Sequence, residues 1–323
     1  MKSTWIQILG LACAFAAQPS LADESYPTRP VTVVVPFAAG SGTDVITRLI
    51  TDKMGKSMGT PIIVDNKAGA SGQIGTEFVA RARPDGYTLL VATNSTHSAN
   101  PFLYTSLRYD PVKSFDPVGR MTVNPLALLV NQNSQFKDTQ ALLTYARANP
   151  GKLSYGYGNT GGQVSGAMLV NLGKINALAV PYKTTPQVFT DLIAGQVDFA
   201  FVDLAASQPL IQAGKLRALA VSSPKRFGTM PQVPAVRETA GMEDFSLFAW
   251  LGLMAPAGTP KPIVEKLNAE LRKALDDPSV RQQLEQRTGS IVESTSTEEF
   301  GKFLRDQSAL WKLRIGEAGI QPE

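Results

Sequence analysis

A glycine-rich loop, Phe37-Ala-Ala-Gly-Ser-Gly-Thr-Asp44, holds the residue types best suited to binding chemistry in the first part of the chain. The preceding run, Val31–Val35, is β-branched throughout, a pattern that predicts a strand buried on both faces. Pro36 follows this run and ends the strand, because proline has no N–H to donate to a neighbouring strand. Gly40 and Gly42 permit backbone angles and close approaches that a Cβ atom would prevent.

The same loop leads into a predicted helix whose apolar positions begin at Val45 and Ile46. Thr43 or Asp44 is expected to cap this helix. A strand, a glycine-rich turn and a helix start together expose free backbone N–H groups, which suit an anion. An ordinary strand-to-helix loop that needs glycine only for its turn is the alternative at this point.

Polar residues also follow the third predicted strand, which ends near Val91. The run Thr93-Asn-Ser-Thr-His-Ser98 is expected at the same sheet edge as the glycine-rich loop, because ligands collect at the carboxyl ends of parallel strands. His97 is the only histidine in the chain, so a multi-histidine metal site and a HExxH motif are excluded. We expect His97 to form structural hydrogen bonds.

A second glycine-rich loop, Gly156-Tyr-Gly-Asn-Thr-Gly-Gly-Gln163, lies between a predicted strand and a predicted helix. Gly156, Gly158 and Gly161 match the dinucleotide pattern GxGxxG. That pattern also needs an acidic residue about 20 positions later for the ribose, and no Asp or Glu lies between Asp138 and Asp191. The absence of a nearby carboxylate favours an anion over a nucleotide.

Strands and helices alternate along the chain, which predicts parallel sheets in an α/β protein. One unit runs from Val31 to about Val91, a second from Leu126 to Val221, and a long apolar strand, Phe245–Met254, returns to the first. We therefore predict a two-lobed fold whose hinge is crossed twice. Residues 23–123 and 246–323 would form lobe 1, and residues 124–245 lobe 2.

Residues 1–22 have the features of a secretory signal peptide: Lys2, an apolar stretch, and Ser20-Leu-Ala22 as the cleavage site. Acylation at Cys13 is the competing interpretation of this segment. Cleavage after Ala22 leaves no cysteine, hence neither a disulfide nor a thiol nucleophile. The net charge of +4 is dispersed without a basic run, which disfavours nucleic acid as a partner.

Motifs along the whole mature chain resemble one family, the Bug (TctC-type) solute receptors of tripartite tricarboxylate transporters. The motifs are Tyr26-Pro-Thr-Arg-Pro, Pro36-Phe-Ala-Ala-Gly-Ser-Gly-Thr-Asp44, Asn66-Lys-Ala-Gly-Ala-Ser-Gly, Pro84-Asp-Gly-Tyr-Thr-Leu89, Val180-Pro-Tyr-Lys183, Asp191-Leu-Ile-Ala-Gly-Gln-Val-Asp198, Gly214-Lys-Leu-Arg-Ala-Leu219 and Val233-Pro234. The resemblance implies a type II periplasmic-binding-protein fold that closes on its ligand. It implies that one ligand carboxylate is held by the loop at Phe37–Asp44 and by waters above the neighbouring strands, and that Tyr157–Gln163 holds the other side.

Two departures from the family pattern concern ligand identity. Thr184 and Thr185 stand where the family often has glycine, and the second loop is usually richer in serine. The implied partners are a small carboxylate of the dicarboxylate class and the membrane components of such a transporter, with the receptor itself a monomer. The expected ligand-binding residues are Phe37, Ala38, Ala39, Gly40, Gly42, Thr43, Asp44, Thr93, Ser95, Tyr157, Asn159, Thr160, Gly161, Gln163, Thr184 and Asp203.

Two other functions stay open. An exported hydrolase or lyase would use cleft carboxylates such as Asp44 and Asp203, but acid–base chemistry needs two titratable groups in one site. The candidate loops contain mostly Gly, Ser, Thr and Asn, so we expect no enzyme, no cofactor and no metal. A receptor that signals to a membrane sensor would have the same binding fold as a transport receptor.

Overall fold

The computed structural model describes residues 26–322 apart from Thr229, and for Arg287 it describes only the backbone. The predicted signal peptide, its cleavage site at Ala22 and Cys13 lie outside the described residues. The described part of the chain contains two β-sheets with helices packed against them, so the predicted two-lobed α/β fold is confirmed. None of the described helices is long and apolar enough to cross a membrane.

The strands form a six-stranded and a five-stranded sheet. In chain order they are β1 (Val31–Val35), β2 (Ile62–Asn66), β3 (Thr88–Thr93), β4 (Phe115–Asn124), β5 (Leu126–Asn131), β6 (Leu153–Tyr157), β7 (Ala177–Pro181), β8 (Phe199–Asp203), β9 (Leu216–Val221), β10 (Ala249–Pro256) and β11 (Ile291–Val292). The first sheet has the order β11-β4-β10-β3-β1-β2, and the second has the order β7-β6-β8-β5-β9.

Helices connect these strands. They are α1 (Gly42–Met58), α2 (Gln73–Ala80), α3 (Asn100–Leu103), α4 (Thr139–Ala148), α5 (Thr160–Leu172), α6 (Thr185–Ala194), α7 (Leu204–Gln212), α8 (Lys261–Asp276), α9 (Pro278–Thr288) and α10 (Thr297–Glu317). A π-helical turn, Ser95–Ala99, replaces most of the expected polar loop after β3. All five of its residues are buried.

Parallel pairing is confined to three neighbouring strands at one side of each sheet. β1 pairs in parallel with β2 and β3, and β6 pairs in parallel with β7 and β8. The strands that carry the chain between the sheets are antiparallel to their neighbours: β10 to β3 and β4, and β5 to β8 and β9. The predicted parallel sheets are therefore mixed sheets, each parallel on one side and antiparallel on the other.

The chain passes between the two sheets at two adjacent places. The first is at Pro125, between β4 and β5. At the second, the Leu247 N–H donates to Ser222 O at 3.1 Å beside β9, and Ala249 then pairs with Asn124 in the first sheet. These two connections have the arrangement of a paired hinge. The lobe boundaries at 123/124 and 245/246 stay a prediction.

Strand β4 was not predicted, because Pro117 and Gly119 interrupt its apolar pattern. Tertiary contacts stabilise it instead. A Cβ atom on Gly119 would lie 3.0 Å from both Asn268 and Leu271 of α8. The Asn268 side chain also donates to Val118 O at 2.6 Å. A helix about 150 residues away in sequence thus occupies the space that the missing side chain leaves.

Helix α10 packs against both sheets. Near its start, Phe300 contacts Trp250 of β10 edge-on at 6.0 Å. Near its end, Trp311 and Ile315 are buried in the cluster that contains Phe199 and Phe201 of β8. The Asn171 side chain of α5 also donates to Glu317 O at 3.2 Å. The C-terminal helix therefore ties the first sheet to the second.

Candidate functional site

The loop between β1 and α1 is held in shape from within. Ser41, not Thr43 or Asp44 as predicted, caps α1 by accepting a hydrogen bond from the Asp44 N–H at 3.3 Å. The Asp44 carboxylate accepts from the Gly40 N–H at 3.0 Å and from Arg48 Nε at 2.9 Å. It also accepts from the Asn66 side chain at 3.0 Å. Gly40 has φ +78°, a conformation that favours glycine.

These contacts determine the charge of Asp44. Burial by itself would raise the pKa of this carboxyl, but the hydrogen bonds from Arg48, Gly40 and Asn66 outweigh it and hold the pKa below its usual range. Asp44 is therefore ionised at neutral pH and fully engaged inside the loop.

We expect Asp44→Asn to destabilise the protein at pH 7 by about 1–3 kcal/mol, because an amide cannot accept from all three donors. A carboxyl with a lowered pKa stabilises the fold above its unfolded pKa of about 3.9, and that contribution is lost as the pH falls through the folded pKa. The difference in melting temperature between wild type and Asp44→Asn should therefore be largest at pH 7 and become smaller below about pH 4. Asp52→Asn, at an exposed position of the same helix, is the control. Equal melting of wild type and Asp44→Asn at pH 7 would contradict this role.

The loop between β6 and α5 has a similar construction on the second sheet. The Asn159 side chain caps α5 by accepting from the Gly162 N–H at 2.9 Å. Its amide nitrogen donates to the Asp203 carboxylate at 3.2 Å. A Cβ atom on Gly158 would lie 2.6 Å from the backbone nitrogen of Thr185. This glycine of the GxGxxG match is thus needed so that the β7–α6 loop can approach.

The starts of α1 and α5 both border the bottom of the cleft between the sheets, through Thr43 and Gly161. A Cβ atom on Gly42 would lie 2.8 Å from the Cβ of Asp203, so only glycine fits there in this arrangement. The Thr160 hydroxyl donates to Asn100 Oδ1 across the cleft at 3.3 Å. The first backbone N–H groups of both helices have no acceptor within their own helix. Two sets of such donors therefore lie at the same cleft.

A cavity of about 710 Å³ opens above this contact and is bordered by both sheets. We call it the main cavity. Lys183 is the only charged residue among the described residues that line it. Its lining residues are Phe37, Ala38, Ser41, Ala68, Gly69, Ala70, Ser71, Gly72, Tyr104, Tyr157, Gly158, Asn159, Gln163, Pro181, Tyr182, Lys183, Thr184 and Thr185.

A second, far smaller space lies at the bottom of the cleft, and we call it the floor cavity. Its volume of about 10 Å³ corresponds to roughly one water molecule. Phe37 and Asn159 border both cavities. The lining residues of the floor cavity are Phe37, Thr43, Thr93, Asn94, Ser95, Asn159, Gly161, Asp203, Ala249 and Leu251.

The predicted ligand-binding residues fall into three groups. Six line the main cavity: Phe37, Ala38, Tyr157, Asn159, Gln163 and Thr184. Five more line the floor cavity: Thr43, Thr93, Ser95, Gly161 and Asp203. Five line neither cavity: Ala39, Gly40, Gly42, Asp44 and Thr160. Of this last group, Gly40 and Asp44 shape the first loop, and Gly42 and Thr160 form contacts across the cleft. Ligand contact by any of the sixteen stays a prediction.

The loop after β2 also lines the main cavity, although its residues were not among the predicted contacts. Ala70 and Ser71 both have positive φ, at 47° and 51°, which is rare for residues other than glycine. The Ser71 hydroxyl accepts from Tyr104 Oη at 2.9 Å, and Ser71 O accepts from the Asn100 side chain at 3.1 Å. Such strained residues concentrate at functional sites. The glycine-rich stretch beginning at Asn66, at the same sheet edge, was the available signal.

His97 lies in the core and lines neither cavity. Its Nδ1 atom is 2.8 Å from the Thr96 hydroxyl, and its ring packs 5.0 Å from that of Phe115. Burial lowers the pKa of His97 to about 3, so the ring is neutral at physiological pH. The described residues contain no cluster of three His, Cys, Asp or Glu side chains suited to a metal ion.

Comparison with known proteins assigns this chain to a family. Residues 46–320 match the family model of the tripartite tricarboxylate transporter family receptors, TctC. A UPF0065 protein of Pseudomonas sp. (strain P51), from the tcbD-tcbE intergenic region, is 36% identical over 315 residues, which are 96% of this chain and 93% of that protein. The chain therefore belongs to the TctC family of periplasmic solute-binding receptors.

Solved structures agree with this assignment. The structure of R. palustris Rpa4515 with adipate has a TM-score of 0.89 and 33% identity, with 92% of this chain and 100% of that chain covered. The structure of the periplasmic binding protein BugD has a TM-score of 0.87 and 34% identity, with the same coverage. By fold and family, this protein is thus a two-lobed solute-binding receptor.

Proposed function

We propose that this protein is a periplasmic receptor that binds a small dicarboxylate, aliphatic or aromatic, and delivers it to the membrane components of a tripartite tricarboxylate transporter. The observation that carries the proposal is that the starts of α1 and α5 both border the floor cavity, through Thr43 and Gly161, and that this cavity shares Phe37 and Asn159 with the main cavity. In this proposal the protein is exported with cleavage after Ala22, acts as a monomer and catalyses no reaction.

One ligand carboxylate would accept hydrogen bonds from the first N–H groups of α1 and α5. The residues at these positions are Gly42 and Thr43 in α1, and Thr160 and Gly161 in α5. A hydrogen bond to a charged group contributes about 1.5–3 kcal/mol, and a helix start contributes about 0.3–1 kcal/mol more. Several such bonds are enough for the roughly 8 kcal/mol of micromolar affinity, even after the cost of ordering the ligand.

Lys183 would contact the second carboxylate at the outer end of the main cavity. Its side chain is exposed and forms no ion pair within the described residues. Because none of the described residues that line the main cavity is acidic, no carboxylate among them competes for this cation. A Lys at the exposed rim also avoids the desolvation penalty of a buried charge.

The adipate found with Rpa4515 supports a diacid as the ligand class, since that relative shares a third of its residues with this chain over nearly its full length. Transporter delivery is supported by the family, whose members are receptors of such transporters. Signalling to a membrane sensor would use the same cleft, and no feature of the described residues favours it.

A thermal-shift screen tests the proposal, because a ligand that binds only the folded state raises the melting temperature. We expect diacids such as succinate and adipate to raise it more than butyrate and hexanoate, which lack the second carboxylate. Lys183→Met should reduce affinity for the preferred diacid about fivefold, as expected for an exposed charge pair worth about 1 kcal/mol. Affinity for the monoacids should stay unchanged. If no acid in the library shifts the melting temperature of the wild type, the proposed function is wrong.

A further inference from the structure

Asp203 lies where the two lobes meet, at the end of β8. It is the only acidic residue among the described residues that line the main cavity or the floor cavity. The same Cβ contact that excludes a side chain at Gly42 fixes the position of Asp203 beside the start of α1. The Asp203 carboxyl group, an acceptor, thus stands within a cleft whose backbone N–H donors favour anions.

The Asp203 carboxylate does little for the fold. It occupies the N-cap position of α7 but makes no capping hydrogen bond, whereas Asp138 caps α4 at 2.7 Å and Asp277 caps α9 at 2.9 Å. It forms no ion pair with a described residue, and its side-chain partner is the amide of Asn159. Asp44, by contrast, accepts hydrogen bonds from three residues.

The chemistry of this position disfavours a second carboxylate. Two ionised carboxylates in one small site repel each other, whereas a carboxylate readily accepts from a hydroxyl or an ammonium group. Burial raises the pKa of Asp203, while its hydrogen bond from Asn159 acts in the opposite direction. No Lys or Arg among the described residues lines the floor cavity to neutralise this group.

The size of the floor cavity agrees with a small donor group. A volume of about 10 Å³ admits one heavy atom such as a hydroxyl oxygen or an ammonium nitrogen, but not the three atoms of a carboxylate. Thr43 and Gly161 border the same cavity, so their N–H groups would hold the carboxylate at its mouth, where Phe37 and Asn159 separate it from the main cavity. A substituent on the carbon next to that carboxylate is therefore placed to point at Asp203.

We propose that Asp203 is a specificity-determining residue that selects carboxylates bearing a hydroxyl or ammonium group next to the bound carboxylate. The inference rests on the proposed function, since it requires that an acid binds in this cleft. It narrows the ligand class from dicarboxylates in general to hydroxy or amino acids with a second acid group.

Calorimetry with succinate, malate and aspartate tests this inference, because the three share a C4 diacid skeleton and differ only in hydrogen, hydroxyl or ammonium at one carbon. We expect wild type to bind malate, aspartate or both at least tenfold more tightly than succinate. Preference for aspartate alone assigns an ammonium site, and preference for malate alone a hydroxyl site. In Asp203→Asn, the preference over succinate should fall at least tenfold for aspartate and less for malate, since the amide oxygen still accepts a hydrogen bond.

Asp244→Asn is the matched control, because Asp244 is exposed and lines neither cavity; its selectivity should equal that of wild type. Succinate binding to wild type as tightly as malate and aspartate overturns the inference, whether or not Asp203→Asn folds. So does an unchanged preference in a folded Asp203→Asn, or a tightest ligand in the acid library that lacks a neighbouring donor. In these cases the proposed function survives. If no acid binds, both the inference about Asp203 and the proposed function are wrong.

Discussion

Gly42→Val is expected to abolish measurable ligand binding while leaving the protein folded. In the structure a Cβ atom on Gly42 would lie 2.8 Å from Asp203 Cβ and 3.6 Å from Ala205 Cβ, so valine forces the start of α1 away from the end of β8. Gly42 has no positive φ, and valine is therefore compatible with the backbone itself. Ligand contacts from the second lobe are lost when the lobes cannot meet. Two charged hydrogen bonds at about 1.5–3 kcal/mol each predict at least a hundredfold loss of affinity.

Calorimetry measures the affinity of this variant, and small-angle scattering measures closure. Wild type should contract when the ligand found in the acid screen is added, because a ligand that touches both lobes stabilises the closed form. Gly42→Val should not contract at equal ligand concentration. Gly316→Val is the control: it adds the same side chain to helix α10, where a Cβ atom meets nothing within 4 Å. A folded Gly42→Val with wild-type affinity would show that this contact is not part of the clamp.

The elements that were predicted well are those whose signal is local. Val31–Val35 is an apolar run with a clear end at Pro36, and β1 has the predicted bounds. Helix α4 likewise begins at Thr139 because Asp138 caps it, and it ends at Ala148 before Asn149-Pro150-Gly151. In each case the neighbouring residues alone determine the start and the end.

The elements that were missed depend on contacts that are distant in sequence. Strand β4 pairs with β10 along its whole length although Pro117 weakens its own pattern. Strand β10 begins at Ala249, four residues later than predicted. Phe245 is instead buried in the core of the second sheet, where its ring stacks on that of Phe201 with 5.4 Å between the ring centres. Apolarity alone does not say which of two cores a residue joins.

The candidate site could be predicted as a set of loops but not as a set of contacts. The rule that parallel strands present ligands at their carboxyl ends locates Phe37 and Asn159, which border both cavities. The same rule cannot show that the Asp44 carboxylate turns into its own loop, because that depends on Arg48 and Asn66. The rule also does not show that Tyr104 lines the main cavity. Tyr104 directly follows α3, and a helix of four residues is too short to be predicted from its sequence pattern.

Trp311→Ala is expected to have the largest effect on stability, because this side chain joins the two lobes. Trp311 is fully buried in the core of the second sheet, while the same helix begins on the first sheet at Phe300. The two residues are 11 positions apart, or about 16 Å along a helix, which is enough to span from one core to the other. Replacing a buried tryptophan by alanine costs about 3–5 kcal/mol.

Chemical denaturation followed by circular dichroism measures this loss, with Leu313→Ala as the control. Leu313 is on the same helix but is 56% exposed, so its truncation should change stability by no more than about 0.5 kcal/mol. Hydrogen exchange should also accelerate in α5 as well as in α10, because α5 contacts the end of α10 through Asn171. Exchange that accelerates in α10 alone would show that the helix belongs energetically to the first lobe. Equal stability of the two variants would mean that the buried tryptophan does not hold the lobes together.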